Sequence, residues 1–309
     1  TYPAEAIAQV LSPLIHASSK PVVIALMGER LIETAASLFR RARIPEYRFP
    51  ERAAAALSVL CQRAEMLAQD SGLPVYPVQK QAALDLLAGA APGFLETSLV
   101  NDLFQAYGLP SLPMRLAANA DEAAQAAAQM GFPVALKVAS PDITHKSDIN
   151  GVLLDLQDVA AVRQGFEQII SNARQARPKA NILGVHVQRM LPDGQDVIIG
   201  ALQDVTFGPM VMFGSGGVEV EGLKDVAFAL APLTNADADY LLSSTWAGRK
   251  LEGFRNLPPA DREAVREALF RLGQMAADLP RLTEIEVNPL RVLPRGKGAV
   301  ALDIRIRGA

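Results

Sequence analysis

Short apolar runs of β character alternate with long, alanine-rich stretches of helical periodicity along nearly the whole chain, and this alternation dictates a mixed α/β fold. Residues 4–69 read as helix, strand, helix, short strand, helix, with Val22-Val23-Ile24-Ala25-Leu26-Met27 as a buried parallel-type strand. Pro50 stands at a favourable first-turn position for the third of these helices. Between Asp70 and Gly93 the pattern breaks into Gly, Pro and mixed polar residues around one short helical run, and a domain boundary is expected there. Helices are then expected over 96–108, 121–130, 159–176, 236–244 and 259–277, with Gly108 as a left-handed cap to the first. Strands are expected over 114–117, 134–138, 184–190, 197–201, 210–213, 283–293 and 299–307, the last two joined by a turn at 294–298.

The chain has 309 residues, half of them hydrophobic, which is enough for a large core and for two domains. With 30 basic against 33 acidic side chains the net charge is -3, which lacks the Lys/Arg excess of a nucleic-acid-binding surface. Any phosphate bound is expected to be held locally. Cys61 is the sole cysteine, so no internal disulfide or thiolate metal site can form; it is expected as a buried structural thiol in a reducing cytoplasm. No run is long and apolar enough for a bilayer span, and no basic-then-apolar leader opens the chain. The start at Thr1 leads us to expect a piece of a longer protein.

Three clusters carry candidate chemistry. Lys137 lies inside an otherwise apolar strand, where an ammonium needs an anion to meet it. It is followed by the polar loop 140–151, which holds His145 and Lys146 and small residues whose amides can line a phosphate. The second cluster is the glycine-rich run 213–221, which matches neither a Walker A sequence nor a dinucleotide fingerprint. In the third, strand alternation puts Glu284, Glu286 and Asn288 on one face, with Asp303 beside them on the neighbouring strand. Carboxylate and amide oxygens without histidine or cysteine are the ligands magnesium prefers, with triphosphate oxygens completing the shell. Each cluster alone has a plain reading: a snorkelling lysine, a β-turn, a solvated acidic strand face. Together they describe a Mg-nucleotide pocket.

From about Glu96 to the end, these clusters and their order resemble the ATP-grasp half of NDP-forming acyl-CoA synthetases and of succinyl-CoA synthetase β subunits. The resemblance is carried by 131–137 (GFPVALK), 140–148 (SPDITHKSD), 207–209 with 214–221, and 286–290 (EVNPL). Residues 1–70 look like the last part of a flavodoxin-like CoA-ligase domain, 71–94 like a linker, and 95–309 like a two-subdomain ATP-grasp domain. The resemblance implies ATP or ADP with magnesium as ligands, and CoA bound through the preceding domain. It implies that Lys137 and Lys146 meet phosphates, that Gln188, Arg189 and Met190 form the adenine-side hinge, and that Gly216 and Gly217 belong to the loop over the phosphates. Asp196 stands where the family usually has a glutamate near the nucleotide, and Glu286, Asn288 and Asp303 fall to magnesium. His145 matches a histidine that relays phosphate in the ADP-forming enzymes. Where active synthetases carry two glycines after the Ser-Asp pair and an intervening residue, this chain has Asn150-Gly151. Such substitutions, with the stretch 43–48, look like bacterial protein lysine acetyltransferases that fuse a synthetase-like region to a GNAT domain. On that reading acyl-CoA or a carboxylic acid is the partner of the full-length protein and a GNAT domain follows. The acetyltransferase-fused branch is expected ahead of a free-standing synthetase.

Overall fold

The computed structural model describes residues 3–28, 32–68, 72–143, 146–192, 194–216 and 225–309. The chain divides into two compact units, Thr1–Asp70 and Ser71–Ala309.

In the first unit, α1 (Ala4–His16), β1 (Ile24–Ala25), α2 (Glu33–Arg41), β2 (Glu46–Tyr47) and α3 (Pro50–Ala68) follow the expected order. The strands pair in parallel, Ile24 with Glu46 and Ala25 with Tyr47. A small core forms from Ala8, Ala35, Phe39 and Ile44. The expected buried strand over 22–27 shrinks to two residues, with Ala25 exposed and Met27 70% exposed. A parallel strand is buried only when both of its faces are covered, and among the described residues of this unit its sheet has two strands. The same shortage corrects the expectation for Cys61. That thiol is exposed, on a helix whose one buried residue is Ala53.

The second unit opens with α4 (Lys80–Ala88) and β3 (Gly93–Phe94). Residues 72–94, expected as a linker, therefore supply Ala83 and Leu87 to the larger core and an edge strand to the larger sheet. Next come α5 (Thr97–Ala106), β4 (Met114–Ala117), α6 (Ala120–Met130), β5 (Val134–Ala139), β6 (Val152–Leu156), α7 (Val159–Ala176) and β7 (Gly184–Arg189). Gly108 takes the expected left-handed conformation after α5, at φ 65°. The antiparallel sheet β4-β7-β5-β6 buries one face against α6 and α7, through Leu136, Val138, Val185 and Val187 packed on Ala123, Ala127, Phe166 and Ile169. Alternation leaves Lys137, His186 and Gln188 on the other face.

The remaining elements are β8 (Gln195–Asp204), β9 (Gly208–Ser215), β10 (Val226–Leu230), α8 (Asn235–Ser244), α9 (Trp246–Lys250), α10 (Arg262–Asp278), β11 (Leu282–Val292), β12 (Ala299–Ala301) and β13 (Ile304–Gly308). They build the sheet β10-β9-β8-β11-β13-β3, with β12 pairing β11. Its core packs against α5, α8 and α10. The expected strand over 299–307 is broken at Leu302 and Asp303, and the backbone groups of those two residues turn to other partners.

Candidate functional site

The interrupted segment between β12 and β13 is where the two sheets meet. The carbonyl of Leu302 accepts a hydrogen bond from Lys137 Nζ at 3.0 Å and another from Gln188 Nε2 at 3.2 Å, both from the open face of the smaller sheet. Gln188 Nε2 also donates to the Leu112 carbonyl at 3.1 Å, and its side chain is buried. Leu302 N donates to the Pro289 carbonyl, and Asn288 N donates to the Asp303 carbonyl, both at 3.0 Å. The pairing of β11 with β8 slips between Val287 and Leu290, which frees the Asn288-Pro289 peptide to face the break.

Lys146 Nζ reaches the Asp303 carboxylate at 3.0 and 3.2 Å. Two ammonium groups and one carboxylate thus converge here. Burial would raise the Asp303 carboxyl, but Lys146 and Lys137 override it and hold the group below the ordinary carboxylate range. Lys137 is pushed down to about 8, first by burial and further by Lys146, with Asp303 opposing. Its ammonium has three donors, and the one hydrogen bond found for it among the described residues goes to a backbone carbonyl. A buried cation in that condition fits an incoming anion.

Local backbone accounts for Lys146. A 3₁₀ turn follows it at Ser147–Ile149, and Asn150 closes the turn at φ 51°. Asparagine tolerates this left-handed conformation, which glycine favours. Asn150 therefore meets the local backbone demand that a glycine would also meet. A Cβ on Gly151 would lie 2.8 Å from both the Lys146 carbonyl oxygen and Val138 Cγ1.

Arg189 is exposed at the end of β7; Met190 N donates to the Pro133 carbonyl at 3.0 Å, and its sulfur accepts from Asp155 N at 2.9 Å. Asp196 is engaged by Arg291, whose Nη2 lies 3.1 Å from its Oδ2, and its carbonyl accepts from Gly216 N at 3.4 Å. Gly216 has no room for a side chain, since a Cβ would lie 2.5 Å from the Val197 carbonyl carbon. Glu286 is half-buried and stands between Gly200 of β8 and Arg305 of β13. Glu284 is exposed. His145 and Gly217 lie outside the described residues. Asp225, where the described chain resumes after the glycine-rich run, accepts from Ser215 Oγ at 2.8 Å and from the Trp246 and Ala247 amides at 2.7 and 2.8 Å. Burial would raise its carboxyl, but these donors hold it low.

His186 was not singled out from the sequence. It stands opposite Lys137 across the β5/β7 pairing, and burial first, then Lys146 and Lys137 against Asp303, push its imidazole down to about 4. Strand alternation on 184–189, anchored on Val185 and Val187 as core residues, was the available signal.

Among the described residues no three acidic, histidine or cysteine side chains gather as a metal site on their own. No helix among them is long and apolar enough to cross a membrane.

Residues 87–307 match the family model described as an ATP-grasp domain. The chain is 34% identical over 305 residues to the 4-hydroxybutyrate--CoA ligase [ADP-forming] of Nitrosopumilus maritimus, covering 97% of this chain and 44% of that protein. It therefore spans less than half the length of that relative. It is 42% identical over 205 residues to the acetate--CoA ligase [ADP-forming] II subunit beta of Pyrococcus furiosus, covering 66% of this chain and 87% of the subunit. A chain of the dinucleotide-forming acetyl-coenzyme A synthetase 1 of Ca. Korarchaeum cryptofilum, solved with coenzyme A and Ca-AMPCP, superposes with a TM-score of 0.68 at 37% identity, covering 75% of this chain and 100% of that one. The same enzyme with coenzyme A and Mg-AMPPCP, its phosphohistidine segment pointing towards the nucleotide binding site, gives 0.62 at 34%, covering 74% of this chain and all of that one.

Proposed function

The chain belongs to the ATP-grasp family of the ADP-forming acyl-CoA synthetases, and from that premise we propose that its two-sheet junction binds Mg-ATP or Mg-ADP for the phosphoryl half of acyl-CoA synthesis. The observation that carries this reading is the convergence of Lys137 and Lys146 on Asp303 at the break between β12 and β13. Both lysines meet the phosphate chain, and the amides around Gly216 and Gly217 cover it. Arg189 and Met190 border the adenine side, with Gln188 fixing that strand to Leu112 and Leu302 through its side chain. Asp196 reaches the nucleotide's edge only by sharing its carboxylate with Arg291.

Glu286, Asn288 and Asp303 offer oxygen donors alone, which suits magnesium once nucleotide oxygens complete its shell. Magnesium, when bound, neutralises charge on the phosphoryl oxygens. In the complete protein the terminal phosphoryl passes to a nitrogen of His145 as its bond to ADP breaks, then to the carboxylate of the acid to give an acyl phosphate, from which the thiol of CoA bound by the neighbouring domain displaces inorganic phosphate. Residues 1–70 are the end of that CoA-ligase domain and 95–309 are the ATP-grasp domain. The named relatives are CoA ligases, which turns the reading from the acetyltransferase-fused branch expected from the sequence towards the ligase. A cytoplasmic enzyme fits both.

Calorimetric titration of the chain with ADP, with and without magnesium, tests the pocket. Magnesium-dependent uptake is expected, and a chain that takes up no nucleotide overturns the reading. For the full-length protein, label from γ-labelled ATP is expected to reach acyl phosphate normally and to stop in His145→Ala. Undiminished transfer in that variant removes His145 from the path.

A further inference from the structure

We propose that His186 is an additional contact residue for the nucleotide's phosphate chain, donating a hydrogen bond from a neutral imidazole. The inference rests on the nucleotide reading above and adds a residue to that site.

Placement comes first. In β7, Val185 and Val187 are fully buried in the core shared with α6 and α7. The residues between and after them, His186 and Gln188, therefore point to the opposite face. Gln188 demonstrates that direction, because its amide reaches the Leu302 carbonyl of the other sheet. His186 is flanked on that face by Lys137 of β5 and Leu116 of β4. The charged groups bearing on its ring are Lys146, Asp303 and Lys137. It therefore sits among the groups assigned to the phosphates, two residues along the strand from the hinge side.

The chemistry follows from that company. Two ammonium groups against one carboxylate leave the neighbourhood positive, so a third cation is opposed there. A neutral imidazole has one N–H donor and one bare nitrogen. The His186 ring takes no hydrogen-bond partner among the described residues, although it is half-buried. Its ring nitrogens are not among the buried unpartnered polar atoms, so they are open to solvent and the N–H can exchange water for a ligand's oxygen. The ligand that satisfies an N–H beside two ammonium donors is an anion, and a neutral donor adds a contact there without adding charge.

The chain has three histidines, His16, His145 and His186, so ring resonances are few and each can be assigned by substitution. The experiment follows the imidazole proton–carbon resonances of the unmodified chain during titration with Mg-ADP, with His186→Asn identifying the signal. Saturating Mg-ADP is expected to shift the His186 resonance and leave that of His16 in place. In parallel, His186→Leu is expected to bind ADP roughly tenfold more weakly, as loss of a hydrogen bond to a charged acceptor implies. His186→Asn, whose carboxamide still donates, is expected to keep most of the affinity. A His186 resonance that does not move at saturation overturns the contact even if a variant fails to fold, as does His186→Leu binding ADP as tightly as the unmodified chain. An unmodified chain that takes up no ADP overturns the nucleotide site and this contact with it, whereas normal uptake with an unmoved ring overturns His186 alone.

Discussion

Lys137→Met is expected to weaken Mg-ATP and Mg-ADP binding by about 10- to 100-fold, the loss of one charge-assisted hydrogen bond of roughly 1.5–3 kcal/mol, while leaving the empty chain folded. The side chain sits in an apolar strand and spends one hydrogen bond on the Leu302 carbonyl, so methionine fills the same path without the ammonium. The sign of the stability change is the unusual part. Lys137 has its folded-state pKa lowered from 10.5 to about 8. Below pH 8 it is charged in both states, and the folded state carries the full penalty of burying it. As pH rises from about 8 to 10.5 the folded state releases its proton first, and stability increases from this group. Removing the ammonium is therefore expected to stabilise the nucleotide-free chain at pH 7 by on the order of 1 kcal/mol, read as a raised melting temperature. Binding has the opposite dependence. A phosphate beside Lys137 favours the charged form, so ADP affinity is expected to fall as pH rises above 8, with proton uptake measurable by calorimetry in buffers of different ionisation enthalpy. Lys137→Met that binds nucleotide normally, or a wild-type affinity flat from pH 7 to 10, removes the ammonium from the site.

Asp303→Asn is expected to bring the affinities for Mg-ADP and metal-free ADP together. The carboxylate is the charged ligand that magnesium needs, and without magnesium it repels the phosphates; its loss weakens the first complex and strengthens the second. Paired titrations read this directly, and a variant that still discriminates between the two forms as the wild type does places the metal elsewhere. Stability moves down here. Asp303 has its folded-state pKa depressed from 3.8, so its contribution is fully present above about pH 4 and is lost as pH falls through the folded value. Lys146 and Asp303 keep 16% and 21% of their side-chain surface exposed. The expected cost is thus about 1–2 kcal/mol, short of the 3–5 of a fully buried pair.

Much of this arrangement was legible along the chain because it is local. Lys137 in an apolar run, Lys146 in a polar loop directly after it, and the helix over 159–176 are read from neighbours in sequence, and α7 has those bounds. The elements that escaped notice include β3, β6 and β10, all at sheet edges, and the short helix α9. An edge strand carries mixed residues on its outer side, as Leu154 and Asp155 do, and loses the clean apolar signature of an interior strand. The break at Leu302-Asp303 was hidden for another reason. Residues 299–307 alternate well enough for one strand, and only the partners supplied by Pro289 and Asn288 divide it. His186 needed the pairing of β5 with β7 to meet Lys137, since 49 residues separate them in sequence. Cys61 and the strand over 22–27 failed on an assumption about quantity. Their apolar surroundings suit a deeper sheet than the first unit supplies.

The shared carbonyl of Leu302 has a consequence for how tightly a ligand can be held. That oxygen serves as acceptor to Lys137 and Gln188, so it acts as an internal stand-in for a phosphate oxygen. An arriving nucleotide exchanges one acceptor for another at Lys137 more than it creates a new bond. Its advantage over the peptide oxygen is its formal charge, and charge is what dissolved salt attenuates. At Lys137 burial limits that attenuation, so added salt is expected to weaken retention only modestly, less than it would between two surface charges.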